Sequence, residues 1–240
     1  MPHWPIHPID PDVDVRITRA MAPLPAALDT EINRIWAEAQ RRMNGKLFNG
    51  RVFSADVITP RLICGHWTEF RRIVAQMHRA DLFPLIGARP LSVGGVIHGP
   101  DGIIFGRRPL GAIYQAGEWQ LPPAGSVDPS ALRAEGRIDI LAQLLTELHE
   151  ELGMTPDTIH TPEPLCIVEH SESHVLDLGI GLATSLTAAE IHAAHAQGGN
   201  TEYDPIHIVR LAALPDFLAQ SAPLLNHQAP VFLRRMGLIN

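Results

Sequence analysis

Apolar positions change their spacing along this chain, and the changes predict where helices give way to strands. Leu28, Ile32, Ile35, Trp36, Ala39 and Met43 recur every three or four residues. That spacing predicts a helix over 28–43, with Asp29 or Thr30 capping its start and Gly45 just past its end. Residues 1–27 are broken up by proline and predict extended chain. Val52 to Ile58 and Arg61 to Gly65 predict paired short strands around Thr59-Pro60. Phe70, Ile73, Val74 and Met77 predict a helix over 68–79. Two further apolar runs, Leu91 to Ile97 and Ile103 to Phe105, are separated by Pro100-Asp101-Gly102, the composition of a hairpin turn. Leu141, Leu144, Leu145, Leu148 and Leu152 return to helical spacing and form a stripe about 100° wide. Beyond them the pattern predicts strands at 165–168 and 175–183 and a helix at 188–196. A strand at 206–211, a short helix at 215–220 and a terminal helix from Val231 follow. Strands and helices that alternate in this way predict an α/β protein. Residues 1–88 read as an α/β extension preceding a main region at 89–240.

The helix of the leucine stripe carries the chemistry. Glu147, Glu150 and Glu151 stand at i, i+3 and i+4, so their carboxylates share one helical face. No Lys or Arg lies among them. Like charges at this spacing cost a few tenths of a kcal/mol per pair, and negative charge near a helix C-terminus is disfavoured by the dipole. A hard divalent cation with oxygen ligands, such as Mg²⁺, turns that repulsion into coordination. On these residues alone, a solvated acidic face is the competing reading.

The flanking residues change the balance. The predicted hairpin is followed by Arg107 and Arg108, a Gly-containing loop, the segment Trp119-Gln-Leu-Pro-Pro-Ala-Gly125, and then the acidic helix ending Glu-Leu-His-Glu-Glu-Leu-Gly-Met. This succession resembles the Nudix hydrolase family over about residues 90–212. The family signature is Gly-x5-Glu-x7-Arg-Glu-U-x-Glu-Glu-x-Gly-U, with U a bulky aliphatic residue. Glu147, Leu148, Glu150, Glu151, Gly153 and Met154 match its second half. The chain departs from it in three ways. Thr146 stands where the signature has Arg, and Ala131 where it has its first Glu. From Gly125 to Glu147 there are 22 positions, about seven more than the signature. Asp128, Glu135 or Asp139 could replace the missing acid, and Arg133 or Arg137 the missing base; nothing in the sequence chooses among them.

A narrower resemblance is to the animal UDP-glucose and UDP-galactose hydrolase branch, which also lacks a standard box and carries an N-terminal α/β segment. Leu47-Phe48-Asn49-Gly50-Arg51-Val52-Phe53, the Glu169-His-Ser-Glu-Ser173 turn, and Gly198-Gly-Asn-Thr-Glu-Tyr-Asp204 before a strand carry it.

The resemblance implies a Nudix-type α/β/α sandwich with a mixed sheet. It implies Mg²⁺-dependent hydrolysis, with Mn²⁺ as the alternative ion, of a nucleoside diphosphate linked to another moiety. Glu147, Glu150 and Glu151 would hold the metal, and Glu150, Glu151 or Glu202 would accept the proton of the attacking water. Arg107 or Arg108 would bind the diphosphate, with Trp119 and Gly125 completing the substrate site. If Arg107 and Arg108 end a strand they alternate faces, so one of them points to the phosphate. The missing Arg and first Glu motivate a second reading, a catalytically silent Nudix fold that senses a nucleotide ligand. ADP-ribose and dinucleotide polyphosphates compete with a UDP-sugar as substrate.

Composition narrows the partners. A net charge of -7 argues against general affinity for nucleic-acid backbones or anionic membranes, which leaves a small-molecule nucleotide as the expected partner. Cys64 and Cys166 both lie among apolar residues and read as reduced core thiols. The start Met-Pro-His-Trp-Pro lacks the basic and apolar regions of a signal peptide, and no apolar run is long enough to span a bilayer, so a cytoplasmic protein is expected. A chain of 240 residues that is 45% hydrophobic can bury a full core, and one elaborated domain is expected. His192 and His195 lack a third metal ligand nearby. Gly94-Gly95 lacks a phosphate-loop pattern, and no serine stands in a nucleophile-elbow sequence.

Overall fold

The computed structural model describes residues 4–240, so positions 1–3 of the predicted extended segment lie outside the described residues. The chain forms two compact units. One comprises the chain up to Ser92 with Ser126–Ile140 and Glu169–Asp177; the other comprises Val93–Gly125, Leu141–Val168 and Leu178–Asn240.

The first unit is built from β1 (Ile6–His7), β2 (Asp14–Ile17), α1 (Ala26–Arg42), β3 (Arg51–Ile58), β4 (Leu62–Glu69), α2 (Phe70–His78) and α3 (Phe83–Ile86). Strand β4 is central, parallel to β2 and antiparallel to β3, so this small sheet is mixed. Helix α1 buries Ile32, Ile35 and Ala39, and Ile32 and Ile35 pack with Ala75 and Leu82. It begins earlier than the apolar spacing predicts, at Ala26 after Pro25, with no side-chain cap. Asp29, expected as a cap, accepts a hydrogen bond from Arg71 at 2.7 Å instead. Strand β4 runs four residues past the predicted end because Thr68 and Trp67 pair with Val52 and Phe53; ladder hydrogen bonds override the helical spacing until Phe70. Gly65 is required by close approach, since a Cβ there would lie 2.1 Å from the Ser54 carbonyl and 2.7 Å from the Phe53 ring. Within the proline-rich start, β1 and β2 are strands that hydrophobic spacing did not reveal.

A buried carboxylate ties this unit together. Glu169 accepts hydrogen bonds from Arg89 at 2.7 Å and 3.3 Å, and lies 2.8 Å from His7 Nε2 and 3.0 Å from His174 Nδ1. Burial alone would raise its carboxyl, but Arg89, His174 and His7 bring it down to about 2.

The second unit contains most of β5 (Leu91–Gly99), β6 (Gly102–Arg107), β7 (Trp119–Gln120), β8 (Ala124–Ser126), α4 (Ile140–Leu152), β9 (Ile159–Glu169), β10 (Leu176–Thr184), α5 (Ala188–Gly198), β11 (Ile206–Val209), α6 (Leu214–Ser221) and α7 (Gln228–Arg235). Strands run in the order β9, β10, β5, β6, β11, with β7 paired to β6. The predicted hairpin is present: His98 and Gly99 face Ile103 and Gly102 across the Pro100-Asp101 turn. Strands β5, β6 and β10 are buried over most of their length, which explains why they read as continuous apolar runs. Strand β9 begins six residues before the apolar core at 165–168 that announces it, because its first half is exposed and polar. Helix α5 starts on a reciprocal capping box between Thr187 and Glu190. The architecture is α/β, as expected, and both cysteines are free thiols, Cys166 buried and Cys64 half-buried. Among the described residues no helix is long and apolar enough to cross a membrane.

Candidate active site

Helix α4 places the glutamates. Leu144, Leu148 and Leu152 are fully buried on one side of it and hold its rotation. The helix stops at Gly153, whose φ of +65° is the left-handed conformation that glycine adopts at low cost. A Cβ at that position would lie 2.2 Å from the Ala194 carbonyl, so the signature glycine also permits close passage of α5.

The three helix glutamates meet different surroundings. Glu151 is 1% exposed. Its Oε2 accepts a hydrogen bond from the Ala124 backbone N–H at 2.9 Å, while its Oε1 is buried with no partner. Burial, and next the charge of Glu202, push its carboxyl well above the ordinary carboxylate range; Glu147 adds to the rise, and Ala124 N–H and Arg108 oppose it. Glu147 is half-buried and accepts from Gln143 Nε2 at 2.8 Å. Its carboxylate lies against Gly125, where a Cβ would come within 2.0 Å of Oε1. A side chain there would have to displace the flexible end of Glu147. Glu150 is exposed, and it is its backbone carbonyl that engages the chain, accepting from Asn200 N–H at 2.9 Å.

The end of β6 and the loop before β11 complete the arrangement. The Arg108 guanidinium donates to Glu202 Oε1 at 2.5 Å, and its Nε is buried without a partner. Glu118 lies close enough for Arg108 to offset part of the upward push that burial gives its carboxyl. Arg107 turns away and donates through Nε to the Gly117 carbonyl at 3.1 Å. The two arginines therefore divide as strand alternation requires, and Arg108 is the one gathered with the acids. Tyr203 is fully buried and donates to Gln120 Oε1 at 2.9 Å; Gly106 leaves room for its ring. Trp119 is half-buried, 5.5 Å from Phe217 and 6.2 Å from His207, in an aromatic cluster that also contains Phe105.

Among the described residues no three His, Cys, Asp or Glu side chains stand gathered as a metal-ligand set. Gln143 holds Glu147, and Arg108 holds Glu202. The buried, unpartnered Glu151 oxygen with two further carboxylates acting on it fits a divalent cation with oxygen ligands. Glu147, oriented by Gln143, would join Glu151 at such an ion.

Several of these residues carry no signal in the spacing. Gln143 lies one turn before Glu147 and orients it, while Thr146, at the position of the signature Arg, donates its hydroxyl to the Ala142 carbonyl at 3.0 Å. Gln143 could have been found by asking which polar residue stands at i−4 from the first glutamate. Tyr203 adjoins Glu202 but looks like an ordinary loop aromatic. The possible replacements for the signature acid and base belong to the first unit and are engaged there. Asp128 accepts from Ser130 N–H, Arg133 lies 3.4 Å from Asp139, and Arg137 lies 3.4 Å from Asp14; Glu135 is exposed.

No family model and no curated protein matches this chain. Solved structures similar to it include Nudix proteins. The NUDIX domain of Shewanella oneidensis NrtR, complexed with ADP ribose, is 17% identical over 62% of this chain and 87% of its own, with a TM-score of 0.46. A Caenorhabditis elegans Ap4A hydrolase is 17% identical over 61% of this chain and 95% of its own, with a TM-score of 0.39. A MutT NUDIX hydrolase from Burkholderia pseudomallei is 18% identical over 61% of this chain and 96% of its own, with a TM-score of 0.41.

Proposed function

We propose that this chain is an atypical Nudix hydrolase that cleaves the pyrophosphate bond of a nucleoside diphosphate linked to another moiety, with Mg²⁺ or Mn²⁺ as cofactor. The observation that carries this reading is Glu151: a carboxylate buried on a helix, with one oxygen orphaned and two acids, Glu147 and Glu202, acting on it. A buried charge without compensation costs several kcal/mol, and a fold keeps such a cost where function needs it.

In this reading Glu147 and Glu151, with Glu150 from the exposed side, hold the cation. Bound there, the ion neutralises diphosphate oxygens and lowers the pKa of an attacking water. Glu202 accepts the proton of that water once Arg108 releases it, and Glu150 is the second candidate base. Arg108 exchanges Glu202 for the diphosphate, so substrate binding frees the base. Arg107 supports the phosphate less directly, because its Nε is occupied by Gly117. Trp119, half-exposed among Phe217 and His207, offers a flat face to the base. Residues 89–240 carry the chemistry and residues 1–88 act as an extension.

For the substrate we propose a UDP-hexose, cleaved to UMP and hexose 1-phosphate. Its motive is the joint presence of the Leu47–Phe53 segment, the altered signature and the 198–204 loop, which leads into β11. The competing silent-sensor reading draws on Thr146 and Ala131, which stand where the signature has its Arg and its first Glu. A phosphate-release screen over UDP-glucose, ADP-ribose and dinucleotide polyphosphates, with and without Mg²⁺, tests both. Mg²⁺-dependent cleavage of any of them removes the sensor reading. A clear preference for ADP-ribose removes the UDP-hexose assignment, and binding without cleavage removes the hydrolase.

A further inference from the structure

The first unit contains a cavity of about 520 Å³ at the end of its small sheet, where β2 stops and β3 begins. This is within the size range of small-ligand sites. Its lining is largely apolar, with Ile17, Met21 and Trp67 on one hand and Arg19, Arg51 and Thr68 on the other. The Trp67 ring is held edge-on by Phe53 at 6.1 Å and an interplanar angle of 87°, an arrangement that Gly65 permits by leaving space for the Phe53 ring. One face of a fixed indole is a platform for a flat ring.

Arginines stand at and beside this cavity, most of them paired with carboxylates. Arg19 and Arg51 line it, and Arg72 lies close enough to act with Arg19 on His66. Arg19 is anchored by Asp56, donating through Nε at 2.8 Å and Nη2 at 2.7 Å. Arg72 is buried, donates to the Ala22 carbonyl at 3.1 Å and lies 3.4 Å from Glu69. The effect of Arg19 and Arg72 is felt by buried His66: burial pushes its imidazole down, Asp56 opposes, and both arginines add to the depression. Arg51 is different. It is exposed at the mouth, and among the described residues its guanidinium forms no hydrogen bond or ion pair. A planar fork with five donors matches phosphate geometry.

We infer that this cavity binds an organic phosphomonoester bearing a flat ring, with the ring on Trp67 and the phosphate on Arg51, beside an Arg19 that Asp56 and the Ala20 carbonyl hold in place. The site is separate from the glutamates of α4 and does not depend on hydrolysis. Nucleoside monophosphates have this chemistry, and AMP and UMP serve as probes.

The test follows the indole N–H resonance of Trp67, assigned by its loss in Trp67→Phe, during titration of the full chain with AMP, UMP and inorganic phosphate. Saturable movement of this resonance is expected with AMP or UMP, and weaker binding with inorganic phosphate, which lacks a ring. Arg51→Glu should weaken the effect about tenfold or more, and Arg51→Lys less. Unchanged Trp4 and Trp36 signals report that the variant keeps its fold. The inference is overturned if Trp67 stays still while Trp119 responds, which would place all nucleotide binding in the other unit. It is also overturned if Arg51→Glu titrates as the wild type does, or if inorganic phosphate binds as well as AMP and UMP.

Discussion

Glu151→Gln should make the metal-free protein more stable while removing most of its turnover. The amide keeps the acceptor for the Ala124 N–H and removes a charge that burial and Glu202 both disfavour. Its new N–H₂ can donate toward the acids that repelled the carboxylate. Relief of an uncompensated buried charge is worth about 1–3 kcal/mol, which for a chain of this size raises Tm by roughly 2–4 °C per kcal/mol. The pH dependence has a definite sign. In the unfolded chain this carboxyl ionises near its ordinary 4.5, and in the folded protein well above it. The native state therefore retains a proton that the unfolded state has released. The stability this group contributes is complete below the unfolded value and is lost as pH rises through the folded one. The variant has no such transition, so its advantage should be small at about pH 5 and larger in mild alkali. A divalent cation should reverse the order: the wild type gains stability by mass action, up to about 2.7 kcal/mol at a hundredfold excess over Kd, and the variant gains less. Thermal melts in EDTA and in Mg²⁺, at both pH values, measure all of this. A variant less stable than the wild type in EDTA at alkaline pH would mean that the carboxylate is held by favourable contacts, and the argument for a cation at this oxygen would fail.

Gly125→Ala should lower kcat about a hundredfold with a stability change below about 1 kcal/mol, because its Cβ displaces the flexible end of Glu147 by more than an ångström; normal kcat would show that Glu147 need not stand there. Gln143→Leu should shift the Mg²⁺ activation curve to about tenfold higher concentration through loss of the 2.8 Å hydrogen bond that orients Glu147, and Gln143→Asn should not rescue it, being one methylene short. An unshifted curve would refute the positioning role. Glu169→Gln should cost about 2–3 kcal/mol in urea unfolding near neutrality. The native carboxyl titrates at about 2 against an ordinary 4.5, so its contribution is present above about pH 4.5 and fades as pH falls toward 2. A constant difference across that window would contradict the Arg89 and histidine pairing as its cause.

Much of the fold was legible because its signals are local. The hairpin at Pro100-Asp101 and the helix of the leucine stripe depend on residues within a few positions of each other, and both stand as expected. Elements that lacked a periodic signal went unread. Strand β2 lies in a proline-punctuated stretch and exists because β4 supplies its hydrogen-bond partners from some 48 residues away, as Asp14 against Leu62 shows. Pairing with β3 likewise moved the boundary between β4 and α2 from Gly65 to Glu69. Local spacing carries no information about a partner strand, so neither could be found from it.

The sequence by itself determined which residues could form the site: three glutamates on one face of a helix, two arginines ending a strand, and a glycine before the helix. Helical and strand periods are properties of the backbone, and they sort side chains onto faces before any tertiary contact forms. It could not rank them. Only the tertiary structure buried Glu151 and left Glu150 exposed, and turned Arg108 toward Glu202 and Arg107 toward Gly117. Burial and electrostatic neighbours depend on what packs against a helix from distant parts of the chain, and these decide which carboxylate is costly to ionise.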